Sequence, residues 1–213
     1  MMRKVILYVT MSLDGFIASP NNELDWMLPV MDQEMGRDSV NFFKELDGGF
    51  MGYPTASGMI PYWSNVAQNP SASKGERDIA EAVNKLHSII ISKTAEKLEW
   101  ANSELLLIQN DHDLIEGVRR IKQQPGRDLA VPGGVRTAQA FARLGLIDEY
   151  VFMVQPVALG KGKSVFTGKV ELDLFSAKTY QSGILRLCYR PRLTEQTPAN
   201  TNAGERIRDT ENR

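Results

Sequence analysis

The chain has 213 residues, 42% of them apolar, enough to bury a real core, and one domain is expected rather than two small ones. Its 25 lysines and arginines nearly balance 26 aspartates and glutamates, for a formal net charge of −1, so no global field draws nucleic acid or an anionic membrane and any anion site has to be local. The single cysteine, Cys188, cannot close an intramolecular disulfide and reads as a buried, inert thiol in a reducing compartment.

At the N-terminus, "MMRKVILYVT" sets two basic residues before an apolar run, as a secretory signal does. Thr10, Ser12 and Asp14 interrupt that run, and the alternation of "KVILYVT" reads instead as a buried strand over 3–11. No window approaches the ~20 apolar residues of a membrane span, so a cytoplasmic protein is expected. "SLDGFIASPNNELDW" is a loop rich in turn residues whose Phe16, Ile17 and Trp26 are large enough to pack. "DQEMGRDSVNFFKEL" has a helical pattern, and "GGFMG" a short buried strand that stops at Gly52. Pro54 suits the first turn of a helix through "TASGMIPYW", which Pro61 is expected to end. The polar stretch 64–75 should be an exposed connection, followed by a helix in "ERDIAEAVNKL" and a buried strand in "HSIIIS".

"LLLIQ" is a further strand, and "DLIEGVRRIKQQ" a helix closed by Pro125 and Gly126. "DLAVPGG" then hands a strand to the helix "VRTAQAFARLG" through a glycine pair. Strands alternating with helices predict an α/β fold with a mostly parallel sheet covered on both faces. "DEYVFMVQPVAL", "VELDLFSAKTYQ" and "GILRLCYRP" are strands without intervening helices, which makes the C-terminal part antiparallel. From Thr194 the chain has almost no apolar content, and a disordered tail over 194–213 is expected beyond a domain at 1–193.

Parallel sheets bind ligands beyond the carboxyl ends of their strands, where helix starts present free amides and a positive dipole end. Two places qualify. At "MGYPT" the Thr55 hydroxyl and nearby amides can meet a phosphate; at "PGGVRT" the glycines let the main chain approach a ligand, or else serve only a tight turn or close strand–helix packing. No G-x-G-x-x-G follows a strand, and although Gly162, Lys163 and Ser164 imitate the end of a phosphate loop, Val157 stands where that loop needs glycine. His87, His112 and Cys188 lack metal-ligand spacing, Asp111, His112 and Asp113 read as helix capping, and no G-x-S-x-G is present. The candidates for proton handling are Asp14, after the first strand, and Asp38, one helical turn before Phe42; each also has a plain structural reading, Asp14 bonding its own loop and Asp38 lying on the surface. Trp26 either covers a cleft or fills the core.

Taken together, "MSLDGFIA", "LDW", "MGYPTASGMIPYW", "ISKT", "EWANSELL", "IKQQPGRDLAVPGG", "GLIDEY", "QPVALGKGKSVF" and "SGILRLCYRP" resemble the dihydrofolate reductase superfamily. Within it the chain is similar to stand-alone bacterial relatives of the C-terminal reductase domain of the riboflavin-biosynthesis deaminase-reductase. The resemblance implies a three-layer α/β/α fold with a mixed sheet, a homodimer, and an NADPH site across the strand ends. On its terms Ile17 and Ala18 border the nicotinamide, and Pro54 and Thr55 meet the pyrophosphate. Ser92, Lys93 and Thr94 flank the adenosine 2′-phosphate, and Gly133, Gly134, Val135, Arg136 and Thr137 form the second phosphate-binding helix start. Asp14, Asp38 and Trp26 are then the catalytic candidates.

Two departures qualify the likeness. The family's "MGRxTY" is here "MGYPTA", so Tyr53 replaces an arginine expected at the 2′-phosphate, and the choice of NADPH over NADH stays open. The substrate-arginine segments "LRA" and "DNPxLT" are absent. The implied activity is hydride transfer to a pterin- or aminopyrimidine-like heterocycle, in the manner of dihydrofolate reductase or phosphoribosylaminouracil reductase. The alternatives are a non-catalytic nucleotide-binding or regulatory module, and a scaffold that only dimerises through its C-terminal strands.

Overall fold

A computed structural model describes residues 2–27, 33–95 and 97–192. The expected tail, and with it the end of the domain at residue 193, lies outside the described residues. Ten strands and five helices are defined among those residues.

β1 (Val5–Ser12) is the axis of the sheet, because its apolar side chains alternate between two cores: Val5, Leu7 and Val9 face one, and Ile6 the other. It pairs in parallel with β6 (Asp128–Val131) on one side and β7 (Glu149–Gln155) on the other. β6 pairs with β3 (Leu46–Gly52), which leads outward to β4 (His87–Ser92) and β5 (Ser103–Leu107), all parallel. Beyond β7 come β10 (Leu185–Pro191) and the edge strand β9 (Leu172–Thr179), paired antiparallel as the helix-free last third predicts. The strand order is β5-β4-β3-β6-β1-β7-β10-β9.

Helices cover both faces. α4 (Asp111–Gln123) and α5 (Val135–Arg143) bury Leu114, Val118, Ile121 and Phe141 against Val5, Leu7, Leu129 and Val131. On the other face, α1 (Gln33–Lys44) and α3 (Lys74–Asn84) pack Phe42, Phe43, Ile79 and Ala82 on Ile6, Ala130, Val151 and Met153. α2 (Tyr53–Gln68) joins that layer by seating Ala56 on Met51 and Ile90. The result is the expected three-layer α/β/α arrangement. Cys188 is buried in the second core, and burial pushes its thiol up. No helix among the described residues is long and apolar enough to cross a membrane.

Three expectations need correction. Pro61 does not end α2, which runs on to Gln68 with the proline inside it. Proline removes one N–H from the helix ladder, the partner of the Ser57 carbonyl, but Ser57 and Pro61 both face solvent, so water can take that hydrogen bond. Beyond the proline, Trp63 packs against the second core and its carbonyl accepts from the Asn84 amide at 3.2 Å. The stretch 64–75 is therefore mostly not a connection. Its first five residues are helical and its end opens α3, where the Ser73 hydroxyl accepts from the Glu76 amide and the Glu76 carboxylate accepts from the Ser73 amide.

The third correction concerns the loop after β1. Its Phe16–Ala18 segment is a short strand, β2, which pairs antiparallel with β8 (Lys163–Ser164). A Cβ on Gly162 would stand 2.5 Å from the Ala18 carbonyl oxygen, so the phosphate-loop mimic at 162–164 is strand pairing that needs a residue without a side chain.

Candidate functional site

Because β1, β3, β4, β6 and β7 are parallel, their carboxyl ends lie along one edge of the sheet. β3 ends at Gly52 and α2 begins at the next residue; β6, its neighbour, ends at Val131 and feeds α5 through Pro132, Gly133 and Gly134. The two helix starts touch. A Cβ on Gly134 would lie 2.5 Å from the Thr55 hydroxyl oxygen, and one on Gly52 would lie 3.0 Å from that of Thr137. Each helix start lodges a threonine against the glycine of the other.

That interlock revises the role of the glycine pair. Gly134, at φ +81°, makes room for Thr55 rather than for a ligand. Gly133, at φ +141°, faces open space and is the member of the pair that a ligand can approach.

The helix starts also differ in how their free amides are satisfied. α3 and α4 each carry a full capping box, Ser73 with Glu76 and Asn110 with Asp113, and acidic residues in the first turn. The expectation that 111–113 serve capping holds for Asp113, whereas Asp111 pairs with Arg143 at 2.8 Å. α2 and α5 have glycine at the cap, no side-chain hydrogen bond there and no acid in the first turn. Arg136 is exposed on the first turn of α5, with no carboxylate in ion-pair distance among the described residues. A cation at a helix start opposes the dipole. These features suit an anion beside the paired starts of α2 and α5.

Along the same edge, toward β4, a pocket of about 600 Å³ is lined by Tyr53, Ser92, Thr94, Ala95 and Lys97. The Ser92 hydroxyl accepts from the Thr94 and Ala95 amides at 3.2 and 3.0 Å, which folds "SKT" into a tight turn. Lys93 is not part of the lining, and its carbonyl accepts from Gln109; the cation of the pocket is Lys97. Lys97 lies in an irregular segment with no periodic pattern, so the sequence carried no signal for it. Tyr53 leans on Trp100 with ring centroids 5.6 Å apart. Ile17 and Ala18 are buried, with Ile17 in the core on the α4–α5 side, so β2 offers this edge main chain more than side chain.

The three catalytic candidates are placed apart in role. Asp14 accepts from the Ser12 hydroxyl at 2.7 Å and from the Leu159 and Gly160 amides at 3.1 and 2.7 Å, while the Leu13 amide bonds the Val157 carbonyl. The Ser12 hydrogen bond, then the Leu159 amide, hold its carboxyl below the usual range. Such a group clamps the loop 157–160 to the end of β1 and is a poor proton donor. Trp26 spends its indole N–H on the Glu23 carbonyl at 3.2 Å, bracing its own turn.

Asp38 takes hydrogen bonds from Lys178 at 2.5 Å and Tyr180 at 2.8 Å. Burial pushes its pKa up, but the hydrogen bonds and the charges of Lys178 and Arg186 outweigh it and hold the carboxyl below its ordinary value. The same burial and the Asp38 contact push the Tyr180 phenol up. A depressed carboxyl stabilises the fold above the unfolded pKa of about 3.9, and that contribution disappears as pH falls through the lower folded value. Asp38→Asn is therefore expected to cost about 1–2 kcal/mol near neutrality. The difference in melting temperature between the two proteins should begin to narrow at about pH 4 and close only as pH falls through the lower folded value; a gap that does not narrow on acidification below about pH 4 refutes this account.

Comparison with known proteins fits this geometry. The family model described as the RibD C-terminal domain matches residues 3–186, and the chain belongs to that family. Its fold is the dihydrofolate reductase-like one that this family shares. Among curated proteins it is similar to the uncharacterized proteins YyaP and YwjB of Bacillus subtilis. YyaP is 27% identical over 88% of this chain and 94% of its own length, and YwjB 25% identical over 86% and 96%. Among solved structures it is similar to RibD of Acinetobacter baumannii, with 20% identity, a TM-score of 0.61, and 89% of this chain aligned to 58% of that one. It is also similar to the riboflavin biosynthesis reductase Rib7 of Saccharomyces cerevisiae, with 14% identity, a TM-score of 0.52, and coverage of 89% and 90%.

Proposed function

We propose that the chain is a reductase that uses a nicotinamide dinucleotide, NADPH in the first place, to reduce a C=N or C=O bond of a pterin- or aminopyrimidine-like heterocycle. The observation that carries the proposal is the pair of abutting, uncapped helix starts with Arg136 beside them, unpartnered among the described residues. Their free amides suit a pyrophosphate, and Gly133 leaves open space for it. Tyr53 and the Ser92–Thr94 turn suit an adenosine, and Lys97 suits its 2′-phosphate. Lysine offers a point charge where arginine offers a planar fork, so preference for NADPH over NADH should be modest. When bound, the nicotinamide supplies a hydride. The chain supplies orientation: Asp14 fixes the loop beside β1, and the interlocked threonines hold α2 and α5 in register.

A second reading, a nucleotide-binding module without turnover, has one observation behind it. Asp14 and Asp38 are both held ionised, so neither serves as the acid that a reduced ring needs. In the reductase reading that proton comes from water.

Thermal melting separates these readings from a scaffold that binds nothing. Nucleotide at about 100 times its Kd stabilises by about 2.7 kcal/mol, which raises the melting temperature by about 5–10 °C for a chain of this size. Neither NADPH nor NADH shifting it at millimolar concentration contradicts both nucleotide readings. Loss of nicotinamide absorbance on adding a pterin or aminouracil then decides between reductase and module. The homodimer remains part of the proposal, closed over the edge strand β9, where Leu174 and Phe175 are 54% and 44% exposed. A monomer in sedimentation equilibrium would remove that part.

A further inference from the structure

Further along the same edge, β7 ends in Gln155, which is 3% exposed and whose carboxamide oxygen has no hydrogen-bond partner among the described residues. Gln155 stands opposite Ser12 of β1 and shares the α1 face with Val151 and Met153. On the neighbouring strand, Arg186 stands opposite Met153, on the face of Cys188, which is the same face. The two residues are thus diagonal neighbours across an antiparallel pair, with Cα atoms about 7–8 Å apart, within reach of long side chains.

Arg186 repeats the pattern. Its Nε is buried without an acceptor among the described residues, while the rest of its guanidinium lies over Phe42 of α1, 5.9 Å from the ring centroid, and hydrogen-bonds the Cys188 thiol. No carboxylate lies within ion-pair distance of it among the described residues; Asp38, the acid of α1 on the same side, is engaged by Lys178 and Tyr180 instead. A buried donor and a buried acceptor, both unpaired and side by side, are costly to keep and call for a reason.

One chemical group satisfies both at once. A cyclic amide presents a ring C=O beside a ring N–H. The carbonyl oxygen accepts from Arg186 Nε–H while the N–H donates to Gln155 Oε1. We infer that Gln155 and Arg186 recognise the C(=O)–N–H edge of the heterocycle, and so set the substrate class as lactams rather than their amino-substituted analogues. The inference rests on the reductase reading for the presence of a heterocycle, and it names the side chains that choose it.

The two residues do not contribute equally. Gln155 can turn its amide over and offer a donor where it offered an acceptor, so it tolerates either edge. Arg186 has no acceptor to offer and opposes an amino group wherever it meets one. Discrimination therefore falls to Arg186. Because both atoms are closed off from solvent, the ring has to enter beneath α1 and shift the guanidinium on Phe42, which keeps water from competing for the same edge.

The test uses the full chain and two fluorescent probes: pterin, and its diamino analogue, in which the ring carbonyl is an amino group and the adjoining ring N–H is lost. Fluorescence titration needs neither cofactor nor turnover. Pterin is expected to bind at least 10-fold more tightly than the diamino compound. Arg186→Met should lower pterin affinity about 10-fold and leave the diamino compound within about twofold, and Gln155→Met should weaken pterin less. Gln155→Met should melt no lower than the parent, since an apolar side chain of similar length replaces an unpaired polar atom, whereas Arg186→Met gives up the contacts with Phe42 and Cys188 and the attraction to Asp38 and should melt slightly lower.

Equal affinity for the two probes, no binding of either, or pterin affinity untouched in Arg186→Met overturns the inference and leaves a buried bridging water as the partner of both atoms. The two-probe comparison on the unaltered chain needs no variant to fold. If pterin binds with the stated preference but no nicotinamide is oxidised, the reductase reading falls and the edge recognition stands. If a heterocycle is reduced at a rate indifferent to Arg186, the outcome is the reverse.

Discussion

Replacing Gly134 with alanine is expected to lower the melting temperature by about 10 °C and to abolish nucleotide binding. Two penalties add. The backbone at φ +81° is one that residues with a Cβ rarely adopt, at a cost of about 1–3 kcal/mol. The new methyl would also stand 2.5 Å from the Thr55 hydroxyl oxygen, and relieving such an overlap in a packed site costs about 1–3 kcal/mol. Together they amount to about 3 kcal/mol, and 1 kcal/mol is worth about 2–4 °C in a chain of this size.

The two penalties can be separated. Thr55→Ala removes the atom that the methyl meets, so the double variant should regain roughly half of the lost stability while the backbone term remains. Nucleotide affinity should stay low in the double variant, because α2 and α5 are no longer held in register by that contact. A Gly134→Ala protein that melts within a degree or two of the parent, or a double variant no better than the single one, removes the interlock as the element that shapes the site.

How far the sequence discloses this molecule depends on whether a feature is local. The alternation of "KVILYVT" and the spacing of Leu114, Val118 and Ile121 are local, and the strands and helices they announce are present. Pro61 misleads because its effect turns on whether the Ser57 carbonyl can reach water, a matter of which side of α2 faces out. The pairing of β2 with β8 joins segments about 145 residues apart, and no local pattern encodes it.

The site divides in the same way. "MGYPT" and "PGGVRT" are legible as strand-to-helix junctions, since turn chemistry is local. That Thr55 needs Gly134 empty is a contact between those junctions, visible only once β3 and β6 are neighbours. Asp14 and Asp38 are visible as carboxylates, but their ionisation is set by Ser12, Leu159, Lys178 and Tyr180, the last three of which lie 140 or more positions away. Gln155, which closes β7 after the run Tyr150 to Val154, is a buried polar residue whose oddity could have been noticed from the sequence alone.

Arg136→Glu is expected to make the protein slightly more stable and much worse at binding nucleotide, a combination that few surface substitutions produce. The first turn of α5 now carries a cation where the helix dipole favours an anion, and no side chain caps its amides. Reversing the charge should stabilise the unliganded protein by about 0.3–1 kcal/mol, or about 1–3 °C. The same change removes a charge-assisted contact to phosphate, worth about 1.5–3 kcal/mol, or about 10–150-fold in Kd, and sets a repulsion in its place. The parent's affinity should fall as salt rises, and the variant's residual affinity should respond less, because the screened term is the one removed. Melting curves without ligand, and titration with NADPH at two salt concentrations, supply all four quantities. Should Arg136→Glu melt lower than the parent and bind nucleotide as well as the parent does, Arg136 stands at the helix start to hold the fold together, and the α5 start has to be given up as the anion site.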